Sequence, residues 1–341
     1  MLARVTAGAL AALLAGGLVQ AQVPAQTSPA QLPAGPNAPI EEVLVTGEQP
    51  GPGLWRVTRP SEPGGNVLWI LGSYSPLPKK LGWRSRELEA VLAASQELIE
   101  PPSVNAKVGP LGGVTLLPAA LGLRRNPDDA RLQDVVPPEL YARWLPLKAR
   151  YLGRDDDVEK WRPIFAAQEL YSKALQKSGF AQYGVVWPTV EKLARKARVQ
   201  VTSPEVSFKV DKPREAIKAL KDEPLADLEC FELTIERLES DLDLMRVRAN
   251  AWATGDVAKL RALAPVDQAS TCISVVMNSQ VARERGYADL PERTAAAWLA
   301  AAEAALGRNA STVAVLSIDR LLRPGGYLDQ LRARGYVVED P

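Results

Sequence analysis

The sequence predicts an α+β fold: a small mixed β-sheet assembled from N- and C-terminal strand-helix-strand units, with a large helical insertion between them. Three observations carry this. The apolar run "NVLWILGS" ends in a small polar turn and leads through an amphipathic helix to a second short apolar run, "ELIE". The closing stretch "STVAVLSIDRLLRPGGYLDQLRARGYVVED" repeats that order of strand, polar turn, helix and short strand. Nearly everything between them shows apolar residues at helical spacing, punctuated by proline.

The first residues, "MLARVTAGALAALLAGGLVQA", carry one Arg, an Ala/Leu-rich stretch, and Val19 and Ala21 at signal-peptidase spacing. They read as a secretory signal over 1–21, cleaved near Ala21. The alternative, an uncleaved anchor, is disfavoured because the apolar stretch is shorter than the ~20 residues of a span. No later segment is apolar enough to cross a membrane, so the mature chain is expected in a periplasm or outside the cell. Residues 22–53, rich in Pro, Ala and Gln, read as a disordered linker. Within them "EEVLVTG" is either a short edge strand or a β-prone spot in a tail.

From residue 54 the pattern becomes that of a folded domain extending to 341. "LWRVT" and "NVLWILGS" flank the turn "RPSEPGGN" and predict a hairpin. A helix with Leu88, Val91 and Leu92 on one face starts at Ser85, a suitable N-cap. The strand "ELI" closes at Glu100, before two prolines. Helices are expected over 137–150, 157–178, 187–198 and 213–222, with the short run "VQVTSPE" ending near Glu205. The longest should run over 225–254, closed by Gly255, followed by 269–285 and 291–306. Trp69, Trp83, Trp144, Trp161, Trp187, Trp252 and Trp298 fall at core-like positions.

Composition excludes several function classes. Among 341 residues, 41 Lys and Arg balance 40 Asp and Glu, so no basic surface suggests a nucleic acid. The histidine count is 0, which removes Ser-His-Asp and Cys-His catalysis and His-ligated zinc. Chemistry would have to run on carboxylates, Lys, Tyr, Ser or Cys. Cys230 and Cys272 are expected to pair in an oxidising compartment; two buried thiols are the alternative. "GRDDDVEK" gathers acids but lacks the alternation and central Gly of a calcium loop, so it reads as a solvated helix start. "KLARKARV" reads as a solvated helix stripe.

"LWRV", "NVLWILGS", "LGWRSRELEAVLAASQELIE", "LPERTAAAWL" and "GGYLDQLRARGYVVED" together resemble the TraB/GumN family, related to Tiki-type metalloproteases and the erythromycin-esterase-like group. The resemblance runs in order from residue 54 to the C-terminus. It implies two strand ends that each carry Gly-x-x-His, and a glutamate after the first helix, forming a divalent-metal hydrolytic site. Here the first motif is Gly72, Ser73, Tyr74, Ser75, with Ser75 in the histidine position. The second is Ser317, Ile318, Asp319, Arg320, which keeps neither the glycine nor the histidine. Glu100 matches the family glutamate, and Glu292 with Arg293 matches a Glu-Arg pair.

Serine is a poor metal ligand, and a guanidinium repels a cation. The expectation is therefore a degenerate metallohydrolase with no metal cofactor, acting as a binding or accessory protein toward an unidentified protein or small ligand of the cell envelope. Tyr74 is expected to plug the old pocket, and Arg320 to pair with Glu100. Two alternatives stand beside this. One is a living hydrolase, either built on Glu100, Glu205 and Asp319 or using Ser75 with Lys79 or Lys80 as base. The other is a structural envelope module.

Overall fold

A computed structural model describes residues 50–60, 65–109, 112–240, 242–263 and 268–341. The leader, residues 22–49 of the linker and the "EEVLVTG" strand expectation lie outside the described residues; residues 50–53, expected as the end of the disordered linker, are described, with Pro52 buried and Gly53 packed close to Pro341. Among those described, no helix is long and apolar enough to cross a membrane.

The expected hairpin forms from β1 (Leu54–Thr58) and β2 (Val67–Ser73), with Trp55 opposite Ile70 and Val57 opposite Leu68. After β3 (Leu77–Pro78) comes α1 (Arg86–Ala93), which buries Leu88 and Leu92 one turn apart. Ser85 stands at its N-cap, but its side chain bonds no helix amide. The chain then forms β4 (Glu97–Ile99) and β5 (Ser103–Lys107), broken from each other by Pro101 and Pro102, which cannot donate to a ladder.

The insertion comprises α2 (Gly112–Gly122), α3 (Leu132–Val135), α4 (Pro138–Tyr151), α5 (Pro163–Lys177), β6 (Phe180–Ala181) and α6 (Trp187–Ala197). It continues with β7 (Gln200–Thr202), β8 (Glu205–Lys209), α7 (Pro213–Asp222), α8 (Leu228–Ser240), α9 (Leu242–Ala253), α10 (Val257–Ala262), α11 (Gln268–Met277) and α12 (Gln280–Glu284). The closing elements are α13 (Leu290–Arg308), β9 (Ser311–Ser317), α14 (Ile318–Leu322), α15 (Tyr327–Ala333) and β10 (Val337–Glu339). Helices α4, α5, α6, α7 and α13 each carry proline in the first turn, where its missing N–H costs no helical bond.

Within the stretch 225–254 the described residues form α8 and α9, on either side of residue 241, and α9 ends at Ala253, close to the stop expected at Gly255. Along them Phe231, Ile235, Leu238 and Met245 pack in one cluster while Ala249 and Trp252 pack in another. Two helix expectations are corrected. The stretch 269–285 divides where the Ser279 hydroxyl accepts from the Ala282 amide and starts α12. The stretch 157–178 divides because Pro163 begins α5 after a short 3-10 turn.

The sheet order is β10-β1-β2-β9-β4-β7, with β2, β9, β4 and β7 parallel and β1 antiparallel to both neighbours. The interior of β9 is buried throughout, as expected of a parallel strand covered on both faces. Helix α13 returns to the start of β9, so Arg308 meets the opposite end of the sheet from the strand tips. There its guanidinium bonds the buried Glu97 at 2.8 Å. Beyond the prolines, β5 and β8 continue the β4 and β7 pairing as a two-stranded parallel ribbon.

One cluster packs the sheet against α1, α6, α9, α13 and α15; the other joins α4, α5 and α8 around Trp144 and Phe231, whose rings lie 5.3 Å apart. Of the seven tryptophans expected inside, Trp144, Trp252 and Trp298 are fully buried, whereas Trp69, Trp83, Trp161 and Trp187 are half-buried. Trp55, not singled out from the sequence, is also buried. Cys230 and Cys272 form the expected disulfide, linking α8 to α11 with a Cα–Cα separation of 4.9 Å.

Candidate functional site

Parallel register brings three strand tips to one edge. Gly72 lies beside Leu316 and Ser73 beside Ser317, while Ile99 lies beside Ala314. The residues after β2, β9 and β4 therefore leave the sheet on its carboxyl side, where ligands bind in open sheets with parallel strands. Tyr74 and Ser75, Asp319 and Arg320, and Glu100 all belong to this edge.

Gly72 is required by packing. A Cβ there would stand 2.7 Å from the Trp55 ring and 3.1 Å from Ile318. Its carbonyl accepts a 2.6 Å bond from Trp252 Nε1, which ties α9 to the end of β2. The next residue is held across the strand pair, where the Ser73 hydroxyl donates to the Leu316 carbonyl at 3.2 Å.

Tyr74 turns inward and is 4% exposed. Burial pushes its hydroxyl up to about 12, an effect that Arg248 and Arg237 partly offset and Asp319 reinforces. The Arg248 guanidinium approaches the hydroxyl closely enough to favour the phenolate, without the geometry of a formed hydrogen bond. Arg248 is itself buried on α9 and donates to the Leu263 carbonyl at 2.6 Å. Arg237, on α8, stacks over the Tyr171 ring at 5.5 Å. Tyr74 and Asp319, from the two degenerate motifs, thus share an electrostatic neighbourhood with two arginines supplied by the helical insertion.

The other sequence-predicted residues have separate partners. Ser75 is exposed and donates to the Gln182 carbonyl, which is no base; exposed Lys79 and Lys80 supply none of its hydrogen bonds. Glu100 accepts from the Ser203 hydroxyl. Burial raises the Tyr327 hydroxyl above its usual range, an effect the Arg320 guanidinium nearby partly offsets, and the Tyr327 ring meets Trp298 edge-on at 5.0 Å. The expected ion pair between Glu100 and Arg320 is not formed among the described residues: Glu100 binds Ser203, and the Arg320 charge lies by Tyr327. Glu292 and Arg293 are exposed in the first turn of α13, and Arg293 lies 3.6 Å from Asp289 of the same turn. Glu205 sits on the ribbon, where bonds from Ser207 at 2.7 Å and Asn105 at 3.1 Å hold its carboxyl below the usual range.

The donor set does not fit the divalent metal that the family resemblance implies. A hydroxyl spent on a carbonyl, a buried neutral phenol and a guanidinium replace neutral imidazoles. Among the described residues, no group of three or more His, Cys, Asp or Glu is arranged to hold a metal ion.

The acidic stretch 153–160 is spent on structure. Asp156 and Glu159 pair with Lys148 at 3.0 and 3.2 Å, and Asp157 pairs with Arg125 at 2.9 Å. Glu159 is not the solvated residue expected; it is buried and accepts from Trp144 Nε1 at 3.0 Å and the Tyr141 hydroxyl at 3.1 Å. Arg248 and Arg237 were not singled out from the sequence. A signal existed for Arg248, which shares the apolar face of Met245, Ala249 and Trp252 and so had to be buried against a polar partner.

A small mixed sheet with its degenerate motifs at the tips of neighbouring parallel strands, under a helical insertion, defines an α+β protein with a strand-end site. The chain belongs to the TraB/PrgY/gumN family, whose model matches residues 53–340. No curated protein and no solved structure matches it.

Proposed function

We propose that this chain is an exported member of its family that has lost metal-dependent hydrolysis and serves as a binding or accessory protein in the cell envelope. The observation that carries the reading is Tyr74. It is buried just past the end of β2, its hydroxyl near the charges of Arg248, Arg237 and Asp319, which supports a ring standing where the family pattern would hold a cation between histidines. Two guanidinium groups and a buried phenol make that junction hostile to a divalent ion. Export is supported by the Ala/Leu-rich leader and by the disulfide, which persists in oxidising compartments.

The test is the metal content of the processed chain after dialysis against manganese, zinc and cobalt. Far fewer than one ion per chain is expected. Tightly held metal near one ion per chain would overturn the reading and direct the search toward peptidase or esterase substrates, with Glu100, Glu205 and Asp319 as ligands.

A further inference from the structure

The second degenerate motif runs into a tight turn. Arg320 in α14 and Arg323 just after it lead through Pro324, Gly325 and Gly326 to Tyr327, the first residue of α15. A Cβ at Gly326 would collide with the carbonyls of both arginines, and the Gly326 amide donates to the Arg323 carbonyl at 2.9 Å. Gly325 takes a φ of +67°, which a side chain would resist. The turn therefore folds back on itself and brings Arg320, Arg323 and Tyr327 together. Tyr327 is fixed in place, being 4% exposed with its ring edge-on to Trp298. Burial raises its hydroxyl, and the Arg320 and Arg323 guanidiniums both offset the rise, so both charges reach that hydroxyl.

Neither guanidinium is neutralised. Arg320 is half-buried and Arg323 exposed, and neither is in an ion pair among the described residues. The acids close by along the chain and at the strand tips serve other groups. Asp319 acts on Tyr74, Glu100 accepts from Ser203, and Asp329 accepts from the Gly325 amide at 2.9 Å and pairs with Arg332 at 3.3 Å. Arg334, further along, pairs with Glu303 at 2.8 Å. Two like charges that share one hydroxyl without a counterion repel each other, and a bound anion relieves the repulsion.

We propose that Arg320, Arg323 and the Tyr327 hydroxyl hold a phosphate group of a small ligand at the strand tips. This rests on the metal-free reading above and names the ligand class of the binding protein. The replacement that repels a cation is the one that attracts an anion. Phosphate is favoured over a carboxylate because its dianion matches two guanidiniums, and its tetrahedral oxygens accept from two guanidinium forks and a phenol at once. Free phosphate and a phosphate ester present this same chemistry.

The test is calorimetric titration of the processed chain, freed of metal by a chelator, with inorganic phosphate, glycerol phosphate and acetate at low salt. A phosphate should bind as a single ion per chain and raise the thermal midpoint; the tighter of the two identifies the free ion or the ester as the source. R320Q and R323Q should each weaken binding roughly tenfold or more, since each removes a hydrogen bond to a charged group. A thermal unfolding curve without phosphate checks that each variant is folded, and the exposed position of Arg323 keeps R323Q decisive should R320Q unfold. No binding of either phosphate by the metal-free parent, a folded R320Q or R323Q that binds like the parent, or acetate binding as tightly as phosphate would overturn the proposal. Phosphate binding that appears only after manganese, zinc or cobalt is restored would overturn the metal-free reading along with it.

Discussion

Tyr74 is held neutral by burial, and the sign of its pH effect follows from that. Its folded value of about 12 lies above the unfolded value near ~10, so folding favours the protonated phenol. The associated stability is fully present below about pH 10 and is lost as the pH rises through about 12, a loss on the order of 3 kcal/mol. Tyr74→Phe should therefore unfold with urea within about 1 kcal/mol of the parent near neutrality, because the hydroxyl has no formed bond to lose, and should escape this alkaline loss. Tyr74→Ala should cost about 3–5 kcal/mol by emptying the junction. A Phe variant several kcal/mol less stable near neutrality would mean that the hydroxyl anchors Arg248, and that the ring is more than a plug. That Tyr74 and Asp319 belong to one edge was legible, since each sits in a recognisable motif remnant. Arg248 and Arg237 were not, because they lie far away along the chain and only the docking of α8 and α9 delivers them.

At the scale of elements, the disulfide fastens α11 to α8 across 42 residues of sequence. A chain-entropy argument assigns such a loop about 4 kcal/mol of stabilisation. Replacing both cysteines with serine, or reducing the bridge, should lower the free energy of unfolding by about that amount, read from denaturant curves with and without reductant. No measurable change would mean that packing around Cys230 holds α11 without the bond. Helix starts were mostly legible, because a proline locks φ where the first turn begins, as at Pro138, Pro163 and Pro213. The breaks inside 157–178 and 269–285 were not. Nor was the change of packing partner along the Leu238-to-Trp252 stripe, since periodicity does not record which partner a stripe packs against. Gly255 was legible as a terminator: its φ of +70° is a conformation that other residues resist.

For the whole molecule, the export reading predicts that the chain recovered from a secreting host has lost residues 1–21, measured as its intact mass. Retention of those residues in a membrane fraction would instead identify an anchor. By itself the sequence determined the α+β class, the hairpin, the disulfide partners, the family and the absence of histidine. These follow from local chemistry: alternation, proline placement, cysteine count and motif order are written along the chain. Only the tertiary structure decided what stands at the strand tips. It turned Tyr74 inward toward Arg248, gave Glu100 to Ser203, and left Arg320 near Tyr327 with no ion pair to Glu100. It also left Leu117 and Leu121 exposed on α2, although that helix packs along α7. The reason is physical: a charged or apolar side chain takes the partner that packing brings nearest, and nearness between distant segments is set by how elements dock.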